Sequence, residues 1–131
     1  MPTDPVEGAT VRAFIVPAKR ERYAMMLGRA KRRAAFLNCL NHCHDFDPRY
    51  ATALPSTADV SRLLRSHGAP ATCRVISDFR AIDGREMPLE DALREAEASR
   101  CGSLLCCVAG RLAFYIGEDG EQRLLLRRRE R

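Results

Sequence analysis

Residues 102–129 read GSLLCCVAGRLAFYIGEDGEQRLLLRRR, three apolar runs divided by Ala109-Gly110 and by Glu118-Asp119-Gly120. Each run has strand length, and a glycine at each break supplies the positive φ that a tight turn between antiparallel strands requires. The stretch predicts a three-stranded antiparallel meander. Within the first run Cys106 and Cys107 are neighbours, so a strand sends their side chains to opposite faces and prevents them from acting as a ligand pair.

Working back from the meander, Pro88 opens a helix with Glu90 and Asp91 in its first turn, where acids complement the helix dipole. Leu89, Ala92, Leu93 and Ala96 form its apolar stripe. TCRVIS (72–77) reads as a strand, and DFRAIDGRE (78–86) as a loop turning at Asp83-Gly84. PSTADVSRLLRSHGAP (55–70) reads as a helix capped by Ser56 or Thr57, with Val60, Leu63, Leu64 and His67 on one face, and Gly68 and Pro70 ending it.

DFDPRYATALP (45–55) is expected to be a connector, because Pro48 and Pro55 break regular structure. Pro17 suits the first turn of a helix, and AKRERYAMMLGRAKRRAAFLNCLNHC (18–43) is rich in helix formers, which predicts one long helix. On a wheel its apolar face carries Met26, Ala30, Phe36, Leu37, Leu40, Cys43 and His44. VRAFIV (11–16) is expected as an edge strand or extended lead-in, and residues 1–10, with Pro2, Pro5 and Gly8, as a flexible leader.

The order is therefore (β)ααβαβββ. It predicts an α+β fold of about three helices lying largely on one face of a small sheet. A single globular domain over 11–127 and a basic tail at 128–131 follow from the length of 131 residues.

Hydrophobic residues make up 46% of the chain and charged residues 30%, enough apolar surface for a packed core. No run approaches the roughly 18 apolar residues of a membrane span, and the first residues lack a basic region followed by an apolar one. A cytoplasmic protein that does not enter membranes is expected. In that compartment the six cysteines, at 39, 43, 73, 101, 106 and 107, are read as reduced thiols.

The net charge of +5 is unevenly distributed. Lys19, Arg20, Arg22, Arg29, Lys31, Arg32 and Arg33 face a single acid between residues 19 and 33, and five arginines face one acid between 123 and 131. The rest of the chain is net acidic.

Chemistry-bearing residues concentrate in NCLNHCHDFDPRY (38–50). Cys39, His42 and Cys43 stand three and four apart, a spacing that brings helical side chains together for a metal. A structural zinc site needs a fourth ligand and usually shows a C-x₂-C knuckle, which this chain lacks, so these thiols are read as core. His44 falls on the apolar face as a packed histidine, and Asp45 and Asp47 are read as cap or turn residues. Asp78, Asp83 and Glu86, with His44, are the carboxylate set a metal-dependent hydrolase or nuclease would use. Asp78 and Asp83 also suit a strand end and a turn.

The chain contains no G-x-G-x-x-G, no phosphate-binding GK[ST] loop, no G-x-S-x-G and no H-E-x-x-H, so no cofactor is expected and no motif favours an enzyme, although a site assembled from isolated residues needs none of them. The leading expectation is a non-enzymatic binding or accessory module. Its basic helix, residues 19–33, would contact nucleic acid or an acidic protein partner, since lysine and arginine neutralise phosphates without sequence preference. Aromatic residues are only 6% of the chain and tryptophan is absent, so base stacking is poorly supplied. The alternatives are the hydrolase and a protein-interaction module that forms a homodimer through an exposed edge of the meander.

Overall fold

Residues 3–129 are described by the structure, a computed structural model of the chain. Asp4 starts the first helix. Its carboxylate accepts hydrogen bonds from the backbone N–H groups of Val6 and Glu7, and Pro5 takes the first helical position, where no N–H is needed. Helix α1 then runs Pro5–Phe14, with Glu7, Thr10, Val11 and Phe14 buried. This helix replaces both the leader expected over 1–10 and the strand expected over 11–16; Met1 and Pro2 lie outside the described residues.

A 3-10 turn at Pro17–Lys19 leads into α2 (Arg20–Leu27), and α3 follows at Ala30–Leu40. The single long helix expected here is broken at Gly28, the C-cap of α2, and at Arg29, whose extended backbone (φ −126°, ψ 125°) lets α3 fold back. Helix α3 also ends earlier than expected, so His44 lies beyond it and is exposed.

Short strand β1 (Ala51–Ala53) arises within the expected connector, and α4 (Val60–Ser66) is capped by Asp59. Strand β2 is Thr72–Ser77, β3 is Glu86–Pro88 and α5 is Leu89–Ser99. The meander is β4 (Ser103–Val108), β5 (Leu112–Ile116) and β6 (Arg123–Arg127), with the expected antiparallel pairing. Gly110 and Gly120 turn at φ +72° and +71°.

All six strands form one antiparallel sheet in the order β1-β6-β5-β4-β2-β3. Five α-helices flank it, where about three were expected. They cover both faces. Leu104, Cys106, Ala113, Tyr115, Leu124 and Leu126 pack against α1–α3, while Leu105, Cys107, Phe114, Ile116 and Leu125 pack against α4 and α5. Each fully buried large side chain contributes roughly 1.5–3 kcal/mol relative to exposure. The meander's outer edges are occupied, β6 by β1 and β4 by β2, so the edge-to-edge homodimer route has no open strand there. The sheet now ends in two three-residue strands, a common way of blunting an edge.

Candidate functional site

The structure divides the seven basic residues of 19–33 into two groups. Lys19 reaches Asp45 at 2.9 Å, Arg20 reaches Asp47 at 3.1 Å and also donates to Ile15 O, and Arg33 is half enclosed. Arg22, Arg29, Lys31 and Arg32 are exposed and carry no ion pair among the described residues.

Arg33 organises a buried charge cluster. It donates to Glu7 at 2.6 Å, forms a two-pronged pair with Asp83 at 2.8 and 3.0 Å, and caps α2 through Leu27 O at 3.1 Å. Arg74 supplies the other partner of Glu7, at 2.9 Å. The Glu7 side chain is 1% exposed, so these two guanidiniums are what make its charge tolerable. Burial works against the charge on Arg33, yet the bonds from Asp83 and Glu7 outweigh it and raise its pKa.

Asp83 is thus committed to Arg33 and to the Ser77 N–H at 3.0 Å. Asp78 accepts from the Asn41 amide at 2.9 Å, and Glu86 sits exposed on edge strand β3. No three of Asp78, Asp83, Glu86 and His44 bring ligand atoms within 4.8 Å of one another among the described residues. The geometry gives the hydrolase reading no assembled site.

The stretch 38–50 is regrouped. His42 turns outward to Glu118 at 3.5 Å, whereas Cys39 and Cys43 face Asp45, with the three ligand atoms within 4.8 Å of one another. Tyr23 donates to Asp45 and lies 3.9 Å from Cys39 Sγ. Burial would raise the Asp45 pKa, but hydrogen bonds from Tyr23 and Lys19 outweigh it and hold the carboxyl below its ordinary range. Burial pushes the Cys43 thiol up to about 12, and likewise Cys73 and Cys106. All six cysteines are free.

The second basic segment, at the chain's end, is brought to one end of the sheet by strand register. Leu112 pairs with Arg127, and Arg128 N donates to Arg111 O at 2.9 Å, which sets the β4–β5 turn beside the end of β6. Ala51 pairs with Leu126, and Arg127 N donates to Tyr50 O at 2.9 Å, which adds Arg49 and Tyr50 from the other side. Two adjoining recesses result. They share Arg111, Arg127, Arg128 and Arg129; one adds His67 and the other adds Arg49 and Tyr50.

The larger recess, about 880 Å³, is in the size range of clefts that take small ligands. Arg128 donates to Tyr50 Oη at 2.6 Å and stands 4.2 Å from the ring centroid, while Arg49 stands 5.1 Å from it. The Arg128 hydrogen bond holds the Tyr50 phenol below its ordinary range. Tyr50 therefore braces two guanidiniums. Of the expected tail, Arg128 is anchored in this way, and Glu130 and Arg131 lie outside the described residues.

The chain sequence showed the arginines of 123–131 but not Arg49 and Arg111. Their convergence depends on register: once β5 and β6 pair across the Glu118-Asp119-Gly120 turn with Leu112 opposite Arg127, Arg111 lies beside Arg128. Glu7 joins the buried cluster from a helix start that Asp4-Pro5 followed by Glu7 signals in the sequence.

No family model, no curated protein and no solved structure matches this chain. No helix among the described residues is long and apolar enough to cross a membrane.

Proposed function

We propose that this chain is a binding module for the phosphate backbone of nucleic acid, with the arginine-lined end of the sheet as its contact surface. The observation that carries this reading is the convergence of Arg127, Arg128 and Arg129 on two adjoining recesses, with Arg49 and Tyr50 beside the larger one. Guanidinium groups match phosphate oxygens in two-pronged geometry. With Tyr50 flanked by arginines rather than open for stacking, the affinity is electrostatic and tolerant of sequence. The exposed Arg22, Arg29, Lys31 and Arg32 form a second, weaker contact segment.

Fluorescence anisotropy of a labelled mixed-sequence oligonucleotide, at about 50 and 200 mM salt, tests the reading. Affinity should fall steeply with salt, and replacing Arg111, Arg127 and Arg129 with Gln should weaken binding at least about tenfold and flatten the salt slope by about 0.9 per lost contact. Replacing Arg29, Lys31 and Arg32 with Gln should have the smaller effect. Binding that ignores the Arg111/Arg127/Arg129 change, or no binding at the lower salt, overturns the proposal. Poly-glutamate is the control for an acidic protein partner: competition equal to that of nucleic acid would make carboxylate, not phosphate, the ligand chemistry.

A further inference from the structure

We propose that Cys39, Cys43 and Asp45 form a binding site for a soft divalent metal ion of the zinc class, with one coordination position left to solvent. The two Sγ atoms and a carboxylate oxygen lie within 4.8 Å of one another. Tetrahedral zinc, with sulfur at about 2.3 Å and oxygen at about 2.1 Å, holds such ligands roughly 3.3–3.8 Å apart. Side-chain adjustment of about an ångström closes the set.

The backbone that presents these ligands is well fixed. Cys39 lies in the last turn of α3, and the chain then reverses, with Cys43 N donating to Tyr115 Oη at 3.1 Å and Tyr115 donating in turn to Leu40 O. Asp45 is placed by the hydrogen bond from Val16 N to its carbonyl, 2.8 Å, beside the bridge between Ile15 and Phe46. The three ligands come from a span of seven residues, but α1, the turn before α2 and the sheet hold it in place.

Groups around the ligands complete the site as outer partners do in metal centres. Tyr23 donates to one Asp45 oxygen and Lys19 to the other at 2.9 Å, which orients the carboxylate. Two thiolates and one carboxylate around a dication leave one negative charge, and the Lys19 ammonium offsets it. On uptake each thiol loses its proton to solvent as a sulfur–metal bond forms, with no change in oxidation state. Two sulfur ligands select zinc, cobalt or cadmium over magnesium and calcium.

Cys43 is fully buried, whereas Cys39 and Asp45 are partly exposed, so the ion would enter from their side and keep a water there. His42, the third member expected from spacing, points away to Glu118 and is not a ligand. The inference is independent of the nucleic-acid reading.

Cobalt(II) titrated into the full chain, kept reduced with a phosphine, provides the test. One equivalent should produce thiolate-to-cobalt charge-transfer absorption in the near ultraviolet together with the intense visible bands of a tetrahedral centre, and zinc should bleach both. Cys39→Ser and Cys43→Ser should abolish the charge-transfer signal, Asp45→Asn and Tyr23→Phe should weaken affinity about tenfold or more, and His42→Ala and Cys101→Ser should change nothing. Absence of the charge-transfer band in the unsubstituted chain, or its persistence at full strength in Cys39→Ser, overturns the proposal. Should Cys43→Ser fail to fold, the more exposed Cys39 and Asp45 variants, checked by circular dichroism, still decide it.

Discussion

At Gly102 a β-carbon would lie 2.2 Å from Leu40 O and 2.5 Å from Asn41 N, both backbone atoms that cannot swing aside. Asn41 locks this contact by accepting from Gly102 N at 2.7 Å and donating to Asp78 at 2.9 Å. The end of α3 is thereby seated on the start of β4. Gly102→Ala should destabilise the fold by about 3 kcal/mol or more, read as a lower denaturant midpoint, whereas Gly68→Ala, with nothing within 4 Å but φ +96°, should cost no more than about 1–2 kcal/mol. Asp47 shows the same dependence on local geometry in its charge. Arg49 and Arg20 hold this buried carboxyl down to about 2, below its ordinary 3.8, so the folded state binds the proton less tightly than the unfolded chain. Its stabilising contribution is complete above about pH 4 and is lost as pH falls toward 2. Asp47→Asn should lower the melting temperature at pH 7 and show a shallower fall between pH 5 and 2 than the unsubstituted chain; parallel acid profiles would contradict this.

Among the elements, the α2–α3 break is where helix propensity misleads. Ala, Leu, Met, Arg and Lys on either side of Gly28 all favour one continuous helix, and nothing local requires a reversal at Arg29. Tertiary partners decide it: Arg33 can cap Leu27 O and reach Glu7 and Asp83 only if α3 folds back. Reading residues 1–10 as a leader leaves Arg33 without Glu7, so the helix start at Asp4-Pro5 and the break at Arg29 become legible only together. Replacing Arg33 with Met should therefore cost about 2–4 kcal/mol, less than a fully isolated buried charge because Arg74 remains on Glu7. Adding Glu7→Gln to Arg33→Met should recover part of that loss, giving a double-variant cost below the sum of the singles in chemical denaturation. Strict additivity would mean the two side chains stabilise separate parts of the structure.

For the whole molecule, the meander was legible because turn glycines and strand-length runs are local, and the α+β class followed from it. The helices' placement on both faces was not recovered, although the strands carry a sign of it. SLLCCV and LAFYI do not alternate apolar with polar, and continuous apolar strands belong to sheets covered on both sides. The sheet thus separates two cores while joining them, since Leu104 belongs to one and its neighbour Leu105 to the other. A strand cannot lose one face and keep its pairing on the other, so both cores should melt together. Tyr23 and Tyr115 lie only in the α1–α3 core, which makes near-ultraviolet dichroism a report on that side, while far-ultraviolet dichroism reports every helix and strand. Leu105→Ala, on the opposite side, should cost about 2–5 kcal/mol and shift both signals to the same lower midpoint. A tyrosine signal that kept its original midpoint while the far-ultraviolet transition moved would show two independently unfolding layers and refute the single cooperative unit.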